Sequence, residues 1–300
     1  MKGKKVFLFF CIVIGLLLVV AGIWTETVEQ HAHKSPKHPP CELEGILAKE
    51  EQELSGAEYA LLQQQTGLSE AGIRSLWQQG RQQELLVLQE RLYAPIEVRC
   101  SANTVISREE RIISGQEGLT FSQAFPTVEP GDILISFNCH VLGWRSGHAA
   151  LVVDCERGLS LEARVLGTDT AFIPLESWLR NPSVAVLRVK GLKQEQRQAV
   201  AEYAAGQLVG IPYSLLSGKG GILQEETVYA AKKQERNIAE GRVTDEKQGD
   251  VLLQGTHCAH LVWTAFSSFG IDLDGDGGLI VTPRDLYESE WVEIVQQYGM

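Results

Sequence analysis

Four apolar, strand-like segments follow one another closely in the middle of this 300-residue chain. They run from Ile133 to Phe137, His148 to Val153, Leu159 to Val165, and Val184 to Val189. Helical patterns follow them, from Gln194 to Leu208 and, with a strongly apolar face, from Cys258 to Phe269. Strands grouped together with helices to one side are typical of an α+β domain.

The first residues predict a membrane anchor. Lys2, Lys4 and Lys5 precede an uninterrupted apolar stretch from Val6 to Trp24. As a helix this stretch would cover roughly 28 Å, about the hydrocarbon thickness of a bilayer. Because lysines favour the cytoplasmic side, the chain from Thr25 onward is expected to face outward. An uncleaved signal-anchor is the preferred interpretation, and a secreted protein with a cleaved signal peptide is the alternative.

Composition divides the chain into four parts. After the predicted anchor (1–24) comes a polar, proline-containing stretch that is typical of a flexible linker (25–41). Apolar residues at helical spacing predict a small helical lead-in (42–122). The remainder (123–300) forms the main domain, interrupted by a polar excursion at 218–250.

Charge excludes one class of partner. The formal net charge is −11 at pH 7, whereas a nucleic-acid-binding surface presents clustered Lys and Arg to the phosphates. We therefore expect no nucleic-acid partner.

Cysteine usage singles out one thiol. Cys11 lies in the apolar stretch and leaves five cysteines, an odd number. If Cys258 is the free thiol, the other four either form two disulfides in one of three pairings or stay reduced as small apolar side chains. These four are Cys41, Cys100, Cys139 and Cys155.

Cys258 is the candidate nucleophile. It follows Gly255-Thr256-His257 and opens the apolar helix, which places it in the first turn. There the unpaired backbone N–H groups and the helix dipole favour a thiolate, which is the reactive form of cysteine. The same N–H groups suit the oxyanion of an acyl-transfer intermediate.

His148 and Glu162 are the candidate base and orienting acid. His148 opens one predicted strand, and Glu162 lies in the next one, where a buried carboxylate needs a partner. Their even separation lets both side chains share one sheet face if the hairpin is regular. Asp154 is the competing third member.

These residues belong to a longer, ordered series of motifs. The series comprises Pro130-Gly131-Asp132, Gly147-His148, Leu161-Glu162-Ala163, Gly210-Ile211-Pro212-Tyr213, Cys258-Ala259-His260-Leu261-Val262-Trp263, Gly270-Ile271-Asp272-Leu273 and Thr282-Pro283-Arg284-Asp285-Leu286. From about Pro130 onward the chain resembles the YiiX-like branch of the NlpC-type papain-like superfamily.

The resemblance implies a circularly permuted papain-like fold, with an antiparallel sheet, a nucleophile helix and histidine before cysteine in the chain. It also implies a triad of Cys258, His148 and Glu162 that acts without a cofactor, and Tyr213 and His257 are the candidate substrate contacts. Members of the branch usually carry Ser and Glu after the cysteine, where this chain has Ala259 and His260, so the family's substrate contacts do not transfer.

The predicted function is a cysteine hydrolase of the amidase or peptidase type, acting on cell-envelope peptides. Two alternatives stay open. One is a lipid acyl hydrolase or acyltransferase, because an anchor would bring the site close to lipid head groups. The other is a binding module that keeps the fold without turnover.

Two groups of residues in the sequence are also of metal-ligand type. His257, Cys258 and His260 are zinc-ligand types, but Cys258 points about 100° away from the face that the two histidines share. Asp272, Asp274 and Asp276 match the opening of a calcium loop, yet Pro283 stands where an EF-hand has glutamate. We expect no zinc at the first, and calcium at the second stays open.

Overall fold

The structure is a computed structural model that describes residues 2–28, 33–103, 107–114, 125–141, 144–215, 217–218, 253–275 and 277–300. Nearly all of the predicted excursion at 218–250 lies outside the described residues, as do the β-prone residues 104–106 and Asp276.

Five of the described α-helices precede the strands in the chain, and three lie just before the last strand. They are α1 (Lys2–Val28), α2 (Glu44–Leu47), α3 (Gly56–Thr66), α4 (Glu70–Gln78), α5 (Glu84–Tyr93), α6 (Gln194–Gln207), α7 (Cys258–Ser267) and α8 (Pro283–Glu288). Two 3₁₀ helices cover Glu51–Glu53 and Leu175–Arg180. Ser55 caps α3 and Ser69 caps α4, each accepting a backbone N–H with its hydroxyl.

The described strands form two antiparallel sheets. They are β1 (Glu97–Ala102), β2 (Ser107–Ser114), β3 (Ile133–Ser136), β4 (Cys139–Val141), β5 (Trp144–Arg145), β6 (His148–Asp154), β7 (Leu159–Glu162), β8 (Ala171–Pro174), β9 (Val184–Val189) and β10 (Val292–Tyr298). One sheet has the order β10-β9-β3-β6-β7-β8 and the other β1-β2-β4-β5. The predicted α+β class is therefore confirmed.

The six-stranded sheet is apolar on both faces at its centre. Ala149 and Leu151 of β6 pack in the cluster formed with α6 and α7. Ala150 and Val152 point to the opposite face, where they pack with Trp178 of the second 3₁₀ helix. Because both faces are covered, the strands consist of continuous apolar runs rather than alternating ones. This double burial is why the sequence predicts these strands to within a few residues.

The helical lead-in has a core of its own and docks on the edge of this sheet. Its fully buried side chains are Leu43, Leu62, Leu68, Ile73, Leu76 and Leu85. Gly67 O accepts a hydrogen bond from Gln297 N at 2.8 Å, and Ser69 N donates to Val295 O at 2.8 Å. Gly67 has φ +73°, and a side chain there would collide with Gln297 O. The lead-in thus covers edge strand β10, which would otherwise expose unpaired backbone groups.

Residues 33–41 of the predicted linker are held in place. His33 Nδ1 lies 2.7 Å from Pro182 O, and Lys34 N donates to Gly299 O at 3.0 Å. At the other end Cys41 N donates to the side chain of Gln65. This part of the chain is therefore not the free spacer that its composition predicts, because hydrogen bonds fix both of its ends.

Two further expectations concern the membrane anchor and the disulfides. In the part of the chain that the structure describes, no helix is both long and apolar enough to cross a membrane. All six cysteines are free thiols, so of the two alternatives the structure has the reduced one. Cys41 and Cys100 are exposed, which differs from the buried, reduced alternative.

Candidate active site

Helix α7 places the sulfur of Cys258 at the N-terminal end of a buried helix. His257 is the N-cap, and its side chain accepts a hydrogen bond from the backbone N–H of His260 at 3.4 Å. Thr256 N donates to Pro212 O, and Ser214 N donates to Thr256 O. These bonds fix the backbone just before helix α7. Cys258 itself is buried, at 9% exposure.

His148 is positioned by the glycine before it. Gly147 has φ +74°, and its N–H donates to the carbonyl of Cys139 at 3.2 Å. A Cβ on Gly147 would lie 2.8 Å from Ser136 O, so the tight approach of these two strands requires glycine there. His148 therefore leaves the sheet from a rigid strand end rather than from a loop.

Glu162 meets His148 directly. His148 Nε2 donates to Glu162 Oε2 at 2.8 Å, and the carboxylate is only 2% exposed. The register pairs Leu151 with Leu161 and Val152 with Ser160, which brings β7 alongside β6 with Glu162 and His148 on one face. The two predicted residues are thus brought together.

Asp154, the competing acid, lies at the far end of β6. Its Oδ1 accepts a hydrogen bond from Arg157 N at 2.9 Å within the turn that leads to β7. It therefore does not contact the imidazole.

The Cys258 thiol and the His148 imidazole act on each other's pKa. Burial disfavours the thiolate, but the hydrogen bonds from His148 and His257 outweigh it and lower the pKa of Cys258 to about 5.

The pKa values of His148 and Glu162 shift in the directions that favour the charged form of each. Burial alone would lower the pKa of His148, but the hydrogen bonds to Cys258 and Glu162 raise it above its ordinary value. Burial would raise the pKa of Glu162, yet the hydrogen bond from His148 and its positive charge lower it. The site therefore rests as thiolate, imidazolium and carboxylate.

Trp178 and Ser160 complete the surroundings of the carboxylate, and neither was predicted. Trp178 Nε1 and Ser160 Oγ donate to Glu162 Oε1 at 2.7 and 2.8 Å. The Trp178 ring also stacks on His148, with centroids 5.5 Å apart and planes at 16°. Trp178 lies in a short 3₁₀ helix without apolar periodicity, so no sequence pattern marks it as part of the site.

The two candidate substrate contacts flank the sulfur. Tyr213 pairs with Thr256 in a short parallel bridge. Burial and then the charge of Cys258 raise the pKa of its hydroxyl, which places Tyr213 within electrostatic range of the sulfur. His257 hydrogen-bonds Cys258 and also lies 3.0 Å from Ser217 O through Nε2.

The two histidines of zinc-ligand type bond groups within the protein. His257 Nδ1 accepts from His260 N, and His260 Nδ1 bonds the Thr256 hydroxyl at 3.0 Å. Burial lowers the pKa of His260 to about 4, so this imidazole is neutral near pH 7. Among the described residues, no group of three or more His, Cys, Asp or Glu side chains is arranged to hold a metal.

The acidic turn after α7 has a structural hydrogen-bond pattern. Asp272 Oδ1 accepts from Trp263 Nε1 at 2.8 Å and from Asp274 N at 3.0 Å. These bonds fasten the turn to the helix that carries Cys258.

Comparison with known proteins gives one weak match. No protein-family model matches the chain, and no curated protein does either. Among solved structures it is similar to the crystal structure of metalloprotein yiiX from Escherichia coli O157:H7 (DUF1105), at 15% identity and a TM-score of 0.36. The match covers 57% of this chain and 98% of that one. This is a weak structural relation, and at such a TM-score it carries no argument about the site.

Proposed function

We propose that this protein is a cysteine hydrolase of the amidase type, with a circularly permuted papain-like domain and Cys258, His148 and Glu162 as its triad. One observation carries the proposal: the His148 imidazole lies 2.8 Å from the buried Glu162 carboxylate and also acts on the Cys258 thiol, whose pKa is lowered. A buried ion pair of this kind at a helix N-terminus has little structural value, because its desolvation offsets most of the attraction. Its value lies in keeping a nucleophile ionised.

The arrangement suits acyl transfer. The Cys258 thiolate attacks the carbonyl carbon, and the carbonyl electrons move to the oxygen, which the backbone N–H groups at the start of α7 stabilise. The tetrahedral intermediate collapses, His148 gives its proton to the leaving amine, and a thioester remains. Neutral His148 then takes a proton from water, and the hydroxide releases the carboxylic acid and restores the thiolate. Glu162 holds the imidazole in position throughout.

Trapping of the acyl intermediate tests this proposal. The whole chain is mixed with p-nitrophenyl butyrate, and the protein is acid-quenched within seconds, digested and weighed. We expect a mass increase of one butyryl group on the peptide that contains Cys258, together with release of p-nitrophenolate. Acetyl-amino-acid p-nitroanilides then report whether amides are cleaved as well.

The matched control is a second cysteine. Cys155 is half-buried, its Sγ bonds Val128 O, and burial raises its pKa to about 12. The Cys155→Ala variant should acylate as the unchanged protein does, while Cys258→Ala should not acylate. Acylation that persists in Cys258→Ala, or that is absent from the unchanged protein, would refute the proposal in favour of a binding module.

A lipid substrate is the second candidate, and one surface feature favours it. Leu215, Leu279 and Ile280 are exposed, at 42%, 79% and 51%. The backbone of Leu279 lies against Gly218, next to the Ser217 carbonyl that binds His257. An apolar rim therefore lies beside the sulfur. If p-nitrophenyl dodecanoate reacts much faster than the butyrate, and the Leu279→Ser variant removes that difference, the lipid candidate replaces the peptide amidase.

A further inference from the structure

Arg164 places an exposed cation at the edge of the proposed triad. It lies two residues beyond Glu162, just after the end of β7, and its side chain is 42% exposed. Its Nε lies 3.8 Å from Glu162 Oε2, the same oxygen that lies 2.8 Å from His148 Nε2. One buried carboxylate oxygen therefore separates a solvent-exposed guanidinium from the imidazole.

The contact with Glu162 is too long to engage the guanidinium. No nitrogen of Arg164 comes closer to that carboxylate than 3.8 Å, which is beyond the range of a hydrogen bond. Glu162 already has three shorter hydrogen bonds, from His148, Trp178 and Ser160. In the part of the chain that the structure describes, no residue accepts a hydrogen bond from the Arg164 side chain. Its planar fork is therefore available for the two parallel hydrogen bonds by which arginine binds a carboxylate.

The local charges favour an anion at this position. The nearby carboxylates of Glu109 and Glu110 have arginine partners of their own, Arg111 and Arg145. The resting triad has one net negative charge, because its thiolate and carboxylate outnumber its imidazolium. Arg164 offsets that charge, so an anionic group is attracted there although the chain as a whole has a formal net charge of −11.

The guanidinium lies on the leaving-group side of the site. His148 protonates the leaving amine in the proposed reaction, so that amine must lie beside the imidazole. Arg164 approaches the site from the imidazole and its carboxylate partner. Burial raises the pKa of the Cys139 thiol, and the charges of Cys258 and Arg164 also act on that thiol, so the sulfur and the guanidinium share one neighbourhood. A group attached to the leaving amine is thus nearer to Arg164 than the far end of the acyl chain is.

We propose that Arg164 binds a carboxylate on the leaving amine, so that the substrates are N-acyl amino acids or peptides cleaved at their last amide bond. Hydrolysis consumes one water and releases a carboxylic acid and a free amino acid. The inference rests on the proposed function and makes Arg164 a specificity residue that contacts the substrate away from the reacting atoms.

The test compares two alkylating reagents on the full chain. Iodoacetate and iodoacetamide attack the same Cys258 thiolate and differ in one charged group, so the ratio of their rates cancels any change in the thiolate fraction. At pH 7 and low salt, the ratio of iodoacetate to iodoacetamide labelling should fall roughly tenfold in Arg164→Met, because a cation near the reacting carbon is lost. Arg164→Lys keeps the charge and should stay within about threefold of the unchanged protein.

Arg157→Met is the matched control. Arg157 lies at the opposite end of the β6–β7 hairpin, where its Nε makes a similarly long contact of 3.7 Å with Asp154. Its replacement should leave the ratio as it is. An equal ratio in Arg164→Met and the unchanged protein, or an equal fall in Arg157→Met, would overturn the inference while leaving the proposed hydrolase intact. Slow labelling of Cys258 by both reagents would instead overturn the proposed function, and the inference with it.

A matched pair of substrates tests the leaving group itself. N-butyrylglycine and N-butyrylglycinamide have the same acyl group and the same scissile amide, and only the first has a carboxylate on the leaving amine. We expect kcat/KM to be at least roughly tenfold higher for N-butyrylglycine, and Arg164→Met to remove that preference. If N-butyrylglycine is cleaved no faster than the glycinamide, or if neither is cleaved while Cys258 labels rapidly, the proposed substrate class is wrong.

Discussion

Two buried histidine–glutamate pairs of nearly equal geometry occur among the residues that the structure describes. His148 Nε2 lies 2.8 Å from Glu162, and His140 Nε2 lies 3.0 Å from Glu110. Their histidines are close together in the chain, at the start of β6 and in the middle of β4. In the first pair the Cys258 thiol also acts on the imidazole and contributes to its raised pKa.

The two carboxylates differ in how closely an arginine approaches them. Arg145 contacts the same oxygen of Glu110 that His140 contacts, at 3.2 Å, so a fixed cation offsets that carboxylate. Glu162 receives hydrogen bonds from the neutral groups of Trp178 and Ser160. Arg164 Nε lies farther away, 3.8 Å from Glu162 Oε2 on a 42% exposed side chain, so the imidazole at 2.8 Å is the nearer cationic partner. The comparison teaches that a buried histidine–carboxylate pair is a common structural unit, and that the third group decides whether it has chemistry.

The largest expected effect separates the two histidines. Replacing His148 with Gln should slow labelling of Cys258 by iodoacetamide at pH 7 by at least 100-fold, because the thiol then loses the base that keeps it ionised. His140→Gln should change that rate less than about twofold, since its pair lies outside the proposed triad. The labelling rate is followed by mass spectrometry of the Cys258 peptide. Equal losses of labelling rate in His148→Gln and His140→Gln would contradict the distinction between the two histidines.

Replacing Glu162 should affect the reactivity of Cys258, whereas replacing Glu110 should affect the stability of the fold. Glu162→Gln should slow Cys258 labelling by roughly 10-fold to 100-fold, because the neutral amide no longer stabilises the imidazolium. Glu110→Gln should leave labelling intact but lower the free energy of unfolding by about 3 kcal/mol, since the charge on Arg145 loses its buried partner. Urea denaturation measures the second effect. A Glu110→Gln variant that loses reactivity at native stability would contradict this assignment.

The pH dependence of labelling sharpens the contrast. A thiol of lowered pKa keeps its thiolate above its folded-state pKa, so the Cys258 rate should stay level near neutral pH and fall only as the pH drops through about 5. In Glu162→Gln the midpoint should move upward, toward the ordinary thiol range. Cys155, with a pKa raised to about 12, provides an internal reference whose labelling should rise only in strongly alkaline solution. A Cys258 midpoint near 8.5, the value of an ordinary thiol, would show that the ion pair does not form.

The smallest expected effect concerns the tryptophan over His148. Trp178→Phe keeps a stacked ring and loses the N–H that Glu162 accepts, so labelling at pH 7 should slow by roughly 3-fold to 10-fold. The midpoint of the pH profile should rise with it, a shift that a purely structural role would not produce. Trp77→Phe is the control, since Trp77 Nε1 donates to Lys49 O in the lead-in, away from Glu162. A Trp178→Phe profile identical to that of the unchanged protein would remove Trp178 from the site.

Much of the fold follows from local sequence patterns. Helices α3 and α4 have serine caps, the lead-in shows apolar residues at helical spacing, and the apolar run Val184–Val189 predicts strand β9 with the bounds that the structure has. These elements bury continuous or periodic apolar faces, which sequence displays directly. The four-stranded sheet was largely missed, because it buries charged side chains such as Glu109, Glu110 and His140, whose pattern is not apolar.

The candidate site could be predicted in part for the same reason. Cys258, His148 and Glu162 stand beside strong local signals, a helix start and two apolar strands. Trp178 and Ser160 reach the carboxylate through long-range packing, and nothing in their immediate sequence indicates it. Strand β7 ends at Glu162 instead of continuing to Val165, because the chain then turns so that Thr168 and Thr170 can bond the segment at 210–213.

The hydrogen bond between Gly67 and Gln297 allows detachment of the lead-in to be distinguished from global unfolding. The Gly67 carbonyl accepts a hydrogen bond from the Gln297 amide. This amide is therefore protected from exchange only while the helices of the lead-in remain docked on the sheet. Deuterium uptake at Gln297 therefore reports detachment of those helices, whereas uptake at the central strand amides reports global unfolding. If the two amides exchange together under native conditions, the helices and the sheet form one cooperative unit, and if Gln297 exchanges first, the helices are a separate foldon.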